Sequence, residues 1–248
     1  MGALGTWTRQ ALEGTLLPML VAWQQEVVRY PHPAARQPVL VMQDGVKLQD
    51  WLDQLRLSGD ALAVPTWLEL VAGKLAQKPS KKKDETAAPQ PRLDKLRLAW
   101  VRSVLAACCG VVVEGVLVGS DATLHCQAMN PAVAKEDLQA LLAVWREGLD
   151  APLPLPMRSA VALVTESGDP EGVYEGGFMR SAESEDPCWS RLYADYEALT
   201  ADGRFEALAK EVWGRVHAWA TLHVTVTLHP ELVGDTPARS LGTEEDDE

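Results

Sequence analysis

Asp53, Glu69 and Lys74 are the residues whose types and spacing come nearest to a catalytic set. A two-carboxylate, metal-dependent nuclease carries an aspartate at the end of one strand. The next strand supplies Asp/Glu-x-Lys, so that two carboxylates hold a divalent ion and the lysine steadies the developing charge. Asp53 fills the first place and Glu69 the second. Residue 71, where the lysine belongs, is Val71, and Lys74 stands three positions further on. The set is therefore read as a degenerate remnant with no catalytic residue and no bound metal. A residual nuclease using Asp53 and Glu69 is the alternative.

Other chemistries find less support. His217, His223 and His229 recur six residues apart, a spacing that fits neither one helical face nor the usual zinc-ligand runs. They are read as scattered surface histidines. Neither a GxxxxGK[ST] phosphate loop nor a G-x-S-x-G elbow is present, so ATP hydrolysis and serine hydrolysis have no sequence basis. No cofactor is expected. Cys108 and Cys109 end an apolar helix face and are read as packed, and Arg146 as a contact to the end of its own helix.

The elements that would position these residues follow from periodicity. Leu12, Leu16, Leu20, Trp23 and Val27 predict a helix over 6–28 that Pro18 kinks or divides. The connector "YPHPAARQP" leads to strands 39–42 and 46–57 around the turn Asp44-Gly45. A third strand follows the turn at 58–60, and Pro65 assigns it to an edge or a bulge. Residues 77–92, "QKPSKKKDETAAPQPR", lack apolar periodicity and are expected to form a flexible insertion. Leu93, Leu96, Trp100, Val104 and Cys108 then mark an amphipathic helix that Gly110 stops.

A hairpin about Ser120-Asp121 comes next, and then a helix capped by Asn130-Pro131. Its buried stripe is predicted as Leu138, Leu141, Leu142, Trp145 and Leu149. Residues 158–165 fit a short helix or a strand equally, and 165–186 read as a long loop. Asp186-Pro187 opens a helix with Trp189, Leu192, Tyr193, Tyr196 and Leu199 on one face. A last helix carries Phe205, Leu208, Val212, Trp213 and Val216. This order is α+β, a central mixed or antiparallel sheet flanked by helices, with no βαβ repeat.

Composition narrows the function classes. A net charge of −12 excludes nucleic-acid binding through bulk charge, which requires a surplus of Lys and Arg, though a local basic patch is compatible with it. Four cysteines without a CxxC pair predict reduced thiols. No leader and no apolar run of about 20 residues is evident, so the chain is expected to be soluble and cytoplasmic, with no membrane partner. Nine tryptophans fall mostly on apolar faces and are assigned to the core.

Three stretches carry a family resemblance. "GVKLQDWLDQLRLSGD" resembles a Gly-x-x-Leu-x-Gly/Asp-Trp-Leu segment with its turn. In "LLAVWREGLDAPLPLPMRSAVALV" the core is Trp145, Arg146, Gly148, Leu149, Pro152 and Leu153. The third is "VYEGGFMRSAESEDPCWSRLYADYEAL", with Tyr-Glu-Gly, an acidic loop and an aromatic-rich helix. They resemble the C-terminal part of RecC, the gamma subunit of exodeoxyribonuclease V (RecBCD).

That resemblance implies a degenerate PD-(D/E)xK fold like that of the RecB nuclease, which does not cut. It implies a heterotrimer with RecB-like and RecD-like subunits, and contact with double-stranded DNA ends and separated single strands. The domain would help hold the two subunits together and guide the strands during double-strand break repair. The family's long helicase-like N-terminal region has no counterpart here, so a piece of a longer protein or a truncated reading frame is expected. A free-standing adaptor that binds only protein is a further alternative.

No DNA-contact motif transfers to this chain, so candidates rest on charge: Arg92, Lys95, Arg97 and Arg102 on the basic helix, with Lys81, Lys82 and Lys83 in the insertion. The expected organisation is one domain over 1–231 and a disordered acidic tail over 232–248.

Overall fold

A computed structural model describes residues 3–77, 88–165, 168–177 and 181–230. The first helix, α1 (Ala3–Arg29), runs through Pro18 as one element. The short strand β1 (His32–Pro33) follows, then β2 (Gln37–Gln43), β3 (Val46–Leu52), β4 (Leu55–Leu57) and β5 (Thr66–Leu70). Two-residue strands β6 (Ala76–Gln77) and β7 (Gln90–Pro91) precede α2 (Leu93–Cys108), β8 (Glu114–Val118) and β9 (Ala122–Cys126). The remaining elements are α3 (Pro131–Asp150), α4 (Met157–Thr165), α5 (Pro170–Tyr174), α6 (Pro187–Leu192), α7 (Tyr196–Thr200), α8 (Arg204–His223) and β10 (Val224–Leu228).

The central sheet has the order β1-β4-β5-β8-β9-β10, antiparallel except for the parallel β5/β8 pair that α2 joins as a crossover. The chain is thus α+β, with a mixed sheet between helices. Alternation along the strands divides the core. Leu68, Val116 and Val118 face α1 and meet Ala22 and Tyr30, while Trp67, Leu117 and Leu124 join the larger cluster built with α2, α3, α4 and α8.

The fit at the centre is tight. Trp67 is paired in register with Gly115, and a Cβ on Gly115 would overlap the Trp67 indole ring. A glycine is needed there for the ring to lie across the neighbouring strand.

Local signals explain the element boundaries. Asp44 (φ 49°) and Gly45 (φ 77°) form the turn of the β2/β3 hairpin, with both central residues left-handed as two-residue hairpins favour. Asn130 accepts a 2.8 Å bond from the Ala132 amide and so caps α3. Gly110 (φ 70°) ends α2.

Several expectations need correction. Residues 46–57 do not form one strand. Gln54 adopts φ 60°, which breaks the pleat, so β3 stays in a separate hairpin while β4 joins the central sheet. Pro65 lies just outside β5, an interior strand with neighbours on both sides. Its missing N–H costs the ladder nothing, and its carbonyl accepts from the Glu114 amide. The 77–92 insertion is closed by a ladder between β6 and β7; its residues 78–87 lie outside the described residues, as does the tail at 232–248.

The predicted helix beyond Pro187 divides into α6 and α7, because Asp195 caps a new start by accepting from the Ala198 amide. The 165–186 segment contains α5, and residues 157–165 are helical. The strand β10, paired along its whole length with β9, is not among the predicted elements, although Val224–Leu228 alternates apolar residues with threonine. Leu138 and Leu142 are buried as predicted, but Trp145 is 48% and Leu149 67% exposed. Of the tryptophans, Trp67, Trp100, Trp213 and Trp219 are in the core, whereas Trp51 and Trp145 are outside it.

Candidate functional site

The antiparallel pair β4/β5 brings two of the three residues expected to form the site, Asp53 and Glu69, to one place. Leu55 lies opposite Trp67, and the Leu68 amide donates to the Gln54 carbonyl at 3.4 Å. The ladder ends there, and Asp53 and Glu69 are the next residues outward. Both line one cavity of about 920 Å³, together with Trp23, Arg36, Arg56 and Arg102. Lys74 is not in it. It lies in a separate cavity of about 700 Å³ with Arg92, Asp94, Asp121 and Arg158.

The inward face of β5 explains why. Trp67, Glu69 and Val71 alternate onto the side of the strand that faces α2. Val71 packs against the main core, and its amide donates to the Val118 carbonyl at 2.9 Å. Arg102, on α2, donates from Nη1 to Glu69 Oε2 at 2.6 Å. The Glu69 carboxylate is therefore paired with a guanidinium. Among the described residues, no three His, Cys, Asp or Glu side chains converge to hold a metal ion.

The basic helix does not present its charges as one patch. Arg92 donates from Nε and Nη2 to the two Asp94 carboxylate oxygens, each at 3.1 Å, and Lys95 lies 3.8 Å from the same carboxylate. Arg97 has no carboxylate partner among the described residues and donates at 3.5 Å to the sulfur of Met157, which lines the same cavity as Arg92 and Asp94. Thus Arg92, Lys95 and Arg102 each have a carboxylate partner, and only Arg102 reaches the cavity at β5. Lys81, Lys82 and Lys83 fall outside the described residues.

Two residues of the cavity escaped the sequence reading. Arg56 donates from Nε to the Tyr30 carbonyl at 2.5 Å and from Nη2 to the Pro31 carbonyl at 2.9 Å. Arg36 stacks on Trp51, with its guanidinium carbon 4.1 Å from the ring centroid. Neither has a carboxylate partner among the described residues. Their only sequence signal was position, one in a proline-rich connector and one just past the Asp53 turn, and neither position has a period.

Residues of the sequence motifs have structural roles as well. Arg146 donates to the Asp44 carbonyl and so ties the end of α3 to the β2/β3 turn. Tyr174 is fully buried and donates to the Tyr193 carbonyl at 2.7 Å. Burial, with Glu183 and Asp195 nearby, pushes its hydroxyl up to about 12. Glu183 accepts from the Arg158 and Ser159 amides at 2.8 Å and from the Ser159 hydroxyl at 2.9 Å, satisfying the start of α4. All four cysteines are free.

Comparison with known families decides the relationship. Residues 1–168 match the family model described as the RecC C-terminal domain. The chain belongs to that family. The match takes in the first two motif stretches, with Asp53, Glu69, Trp145 and Arg146, while the Tyr174–Leu199 region lies beyond it. Among curated proteins none matches the chain. Membership implies a RecBCD subunit role in DNA repair for this RecC C-terminal domain. No helix among the described residues is long and apolar enough to cross a membrane.

Proposed function

We propose that this RecC C-terminal domain is a non-catalytic, nuclease-like unit spanning 1–231. It supports assembly with RecB-like and RecD-like subunits and guides separated DNA strands in the cytoplasm during double-strand break repair. The observation that carries the reading is the state of Glu69. Its carboxylate is bound by Arg102, and the place two residues on, just past β5, is taken by the core-packed Val71. Consecutive antiparallel strands with Asp53 and Glu69 on one cavity support a nuclease ancestry. The position of Lys74 in another cavity supports lost chemistry.

Assembly has its own support. Leu40 and Met42 on β2 and Trp145 and Leu149 at the end of α3 are large, apolar and exposed. The Arg146 bond to Asp44 joins the two elements that carry them. Exposed apolar residues on neighbouring elements suit a subunit contact.

The test is co-purification of the chain with RecB-like and RecD-like subunits, alongside Mg²⁺-dependent cleavage of linear duplex and single strands. Assembly without cleavage by the isolated chain is expected. Cleavage that disappears in Asp53→Ala would establish the residual nuclease instead, and no assembly would remove the subunit role.

A further inference from the structure

The cavity at β5 is the place in this acidic chain where three arginines converge. Two of them, Arg36 and Arg56, are held by neutral groups, a tryptophan face and two backbone carbonyls, and with Asp53 and Glu69 on the same lining the three arginines are one positive charge in excess. The third, Arg102, is held by Glu69 through one nitrogen. Held this way, a guanidinium keeps N–H groups for a ligand and loses little side-chain freedom on binding. The volume, about 920 Å³, is within the range of ligand sites. Trp51, 43% exposed beneath Arg36, adds an aromatic surface at the border.

We propose that this cavity binds the phosphodiester backbone of a single nucleic-acid strand, through Arg36, Arg56 and Arg102. Fixed cations beside an aromatic ring are the elements of a single-strand groove. Glu69 then acts as a counterweight. It lowers the affinity of Arg102 for phosphate and holds the guanidinium in place. The inference rests on the strand-guiding part of the proposed function and gives it an address.

The probe is a fluorescently labelled oligothymidylate titrated with the full chain at several KCl concentrations and read by anisotropy. Arg36→Gln and Arg102→Gln are each expected to weaken binding about tenfold, the scale of one charged hydrogen bond. Each should also reduce the slope of log affinity against log salt by about 0.7, the value for one phosphate contact on a single strand. Glu69→Gln removes a negative charge and frees Arg102, so it should tighten binding by a few-fold, a gain that partial unfolding cannot imitate. Arg97→Gln, on the other side of α2, should change neither.

Absence of binding at low salt, indifference to all three cavity variants, or equal competition by polyglutamate would overturn the proposal. Co-purification with the RecB-like and RecD-like subunits is read separately. Assembly that persists while the oligonucleotide ignores the cavity removes this inference alone.

Discussion

Arg102 Nη1 donates to Glu69 Oε2 at 2.6 Å and so joins the middle of α2 to the outer end of β5. The side chains are 37% and 27% exposed, so water screens much of the attraction. The pair is expected to contribute about 0.5–1 kcal/mol. A double-mutant cycle of Arg102→Met and Glu69→Gln, followed by urea unfolding, measures it. A coupling well above this range would mean that the pair is a main support of the fold.

The centre of the sheet is less forgiving. Because a Cβ on Gly115 would overlap the Trp67 indole, Gly115→Ala must displace a ring that is 1% exposed. Overpacking of this kind costs about 1–3 kcal/mol or more. The urea midpoint should fall accordingly. The compensating double variant, Gly115→Ala with Trp67→Leu, should recover part of the loss, and no recovery would show that the ring is not the obstacle.

Asp137 is the buried junction of three helices. It accepts from Arg215 Nη1 on α8 at 2.9 Å and from Trp100 Nε1 on α2 at 3.4 Å, and is itself 4% exposed. Asp137→Ala leaves a buried indole N–H without an acceptor and a guanidinium without its deepest partner. The expected cost is about 2–4 kcal/mol. Asp137→Asn, which keeps an acceptor of the same shape, should cost less. Equal losses in the two variants would assign the effect to packing and not to the hydrogen bonds.

Much of the architecture was legible because its causes are local. Asp44-Gly45 specifies a hairpin turn, Asn130-Pro131 a helix start and Gly110 a helix stop, each through backbone geometry that neighbours along the chain determine. The split of residues 46–57 between two sheets was not legible, because nothing about Gln54 as a residue type announces φ 60°. Nor was β10: Val224–Leu228 alternates apolar and threonine residues, but it follows directly on α8, and only β9 provides the partner that makes it a strand.

That Asp53 and Glu69 lie close together could be found from spacing, since consecutive strands have predictable neighbours. Arg36 and Arg56 could not, because the cavity is assembled from segments whose proximity no periodicity encodes. The charge of α2 was visible and its neutralisation was not, because Arg92 and Lys95 share Asp94 and Arg102 reaches across to Glu69. The outward position of Trp145 and Leu149 has the same origin. Their period matches Leu138 and Leu142, but both are exposed, and the start of α8 meets this end of α3 through the Arg204–Glu147 ion pair.

Two histidines give the domain a specific acid sensitivity. His125, on β9, faces α1 and is pushed below its ordinary value of 6.5 mainly by burial, with Arg29 lowering it further and Glu26 and Glu114 opposing. His229, bonded through Nε2 to the Thr123 hydroxyl at 2.9 Å, is likewise lowered by burial, against Asp121 and the Ser120 backbone. A histidine whose folded pKa is depressed stays neutral in the native state while the unfolded chain takes up its proton. The unfolded state therefore binds more protons below about pH 6.5, and stability falls as pH drops through that value. Carboxylates contribute mostly below about pH 5, so the interval from 6.5 to 5.5 isolates the imidazoles. Between pH 7.5 and 5.5 the urea midpoint of the unaltered chain should decrease, and the decrease should shrink in His125→Gln and shrink further when His229→Gln is added. If the double variant loses as much stability across that interval as the original, the proton uptake belongs to other groups. If the loss grows, protonated His125 is instead held by Glu26 Oε1, 3.5 Å away, and the ion pair outweighs burial.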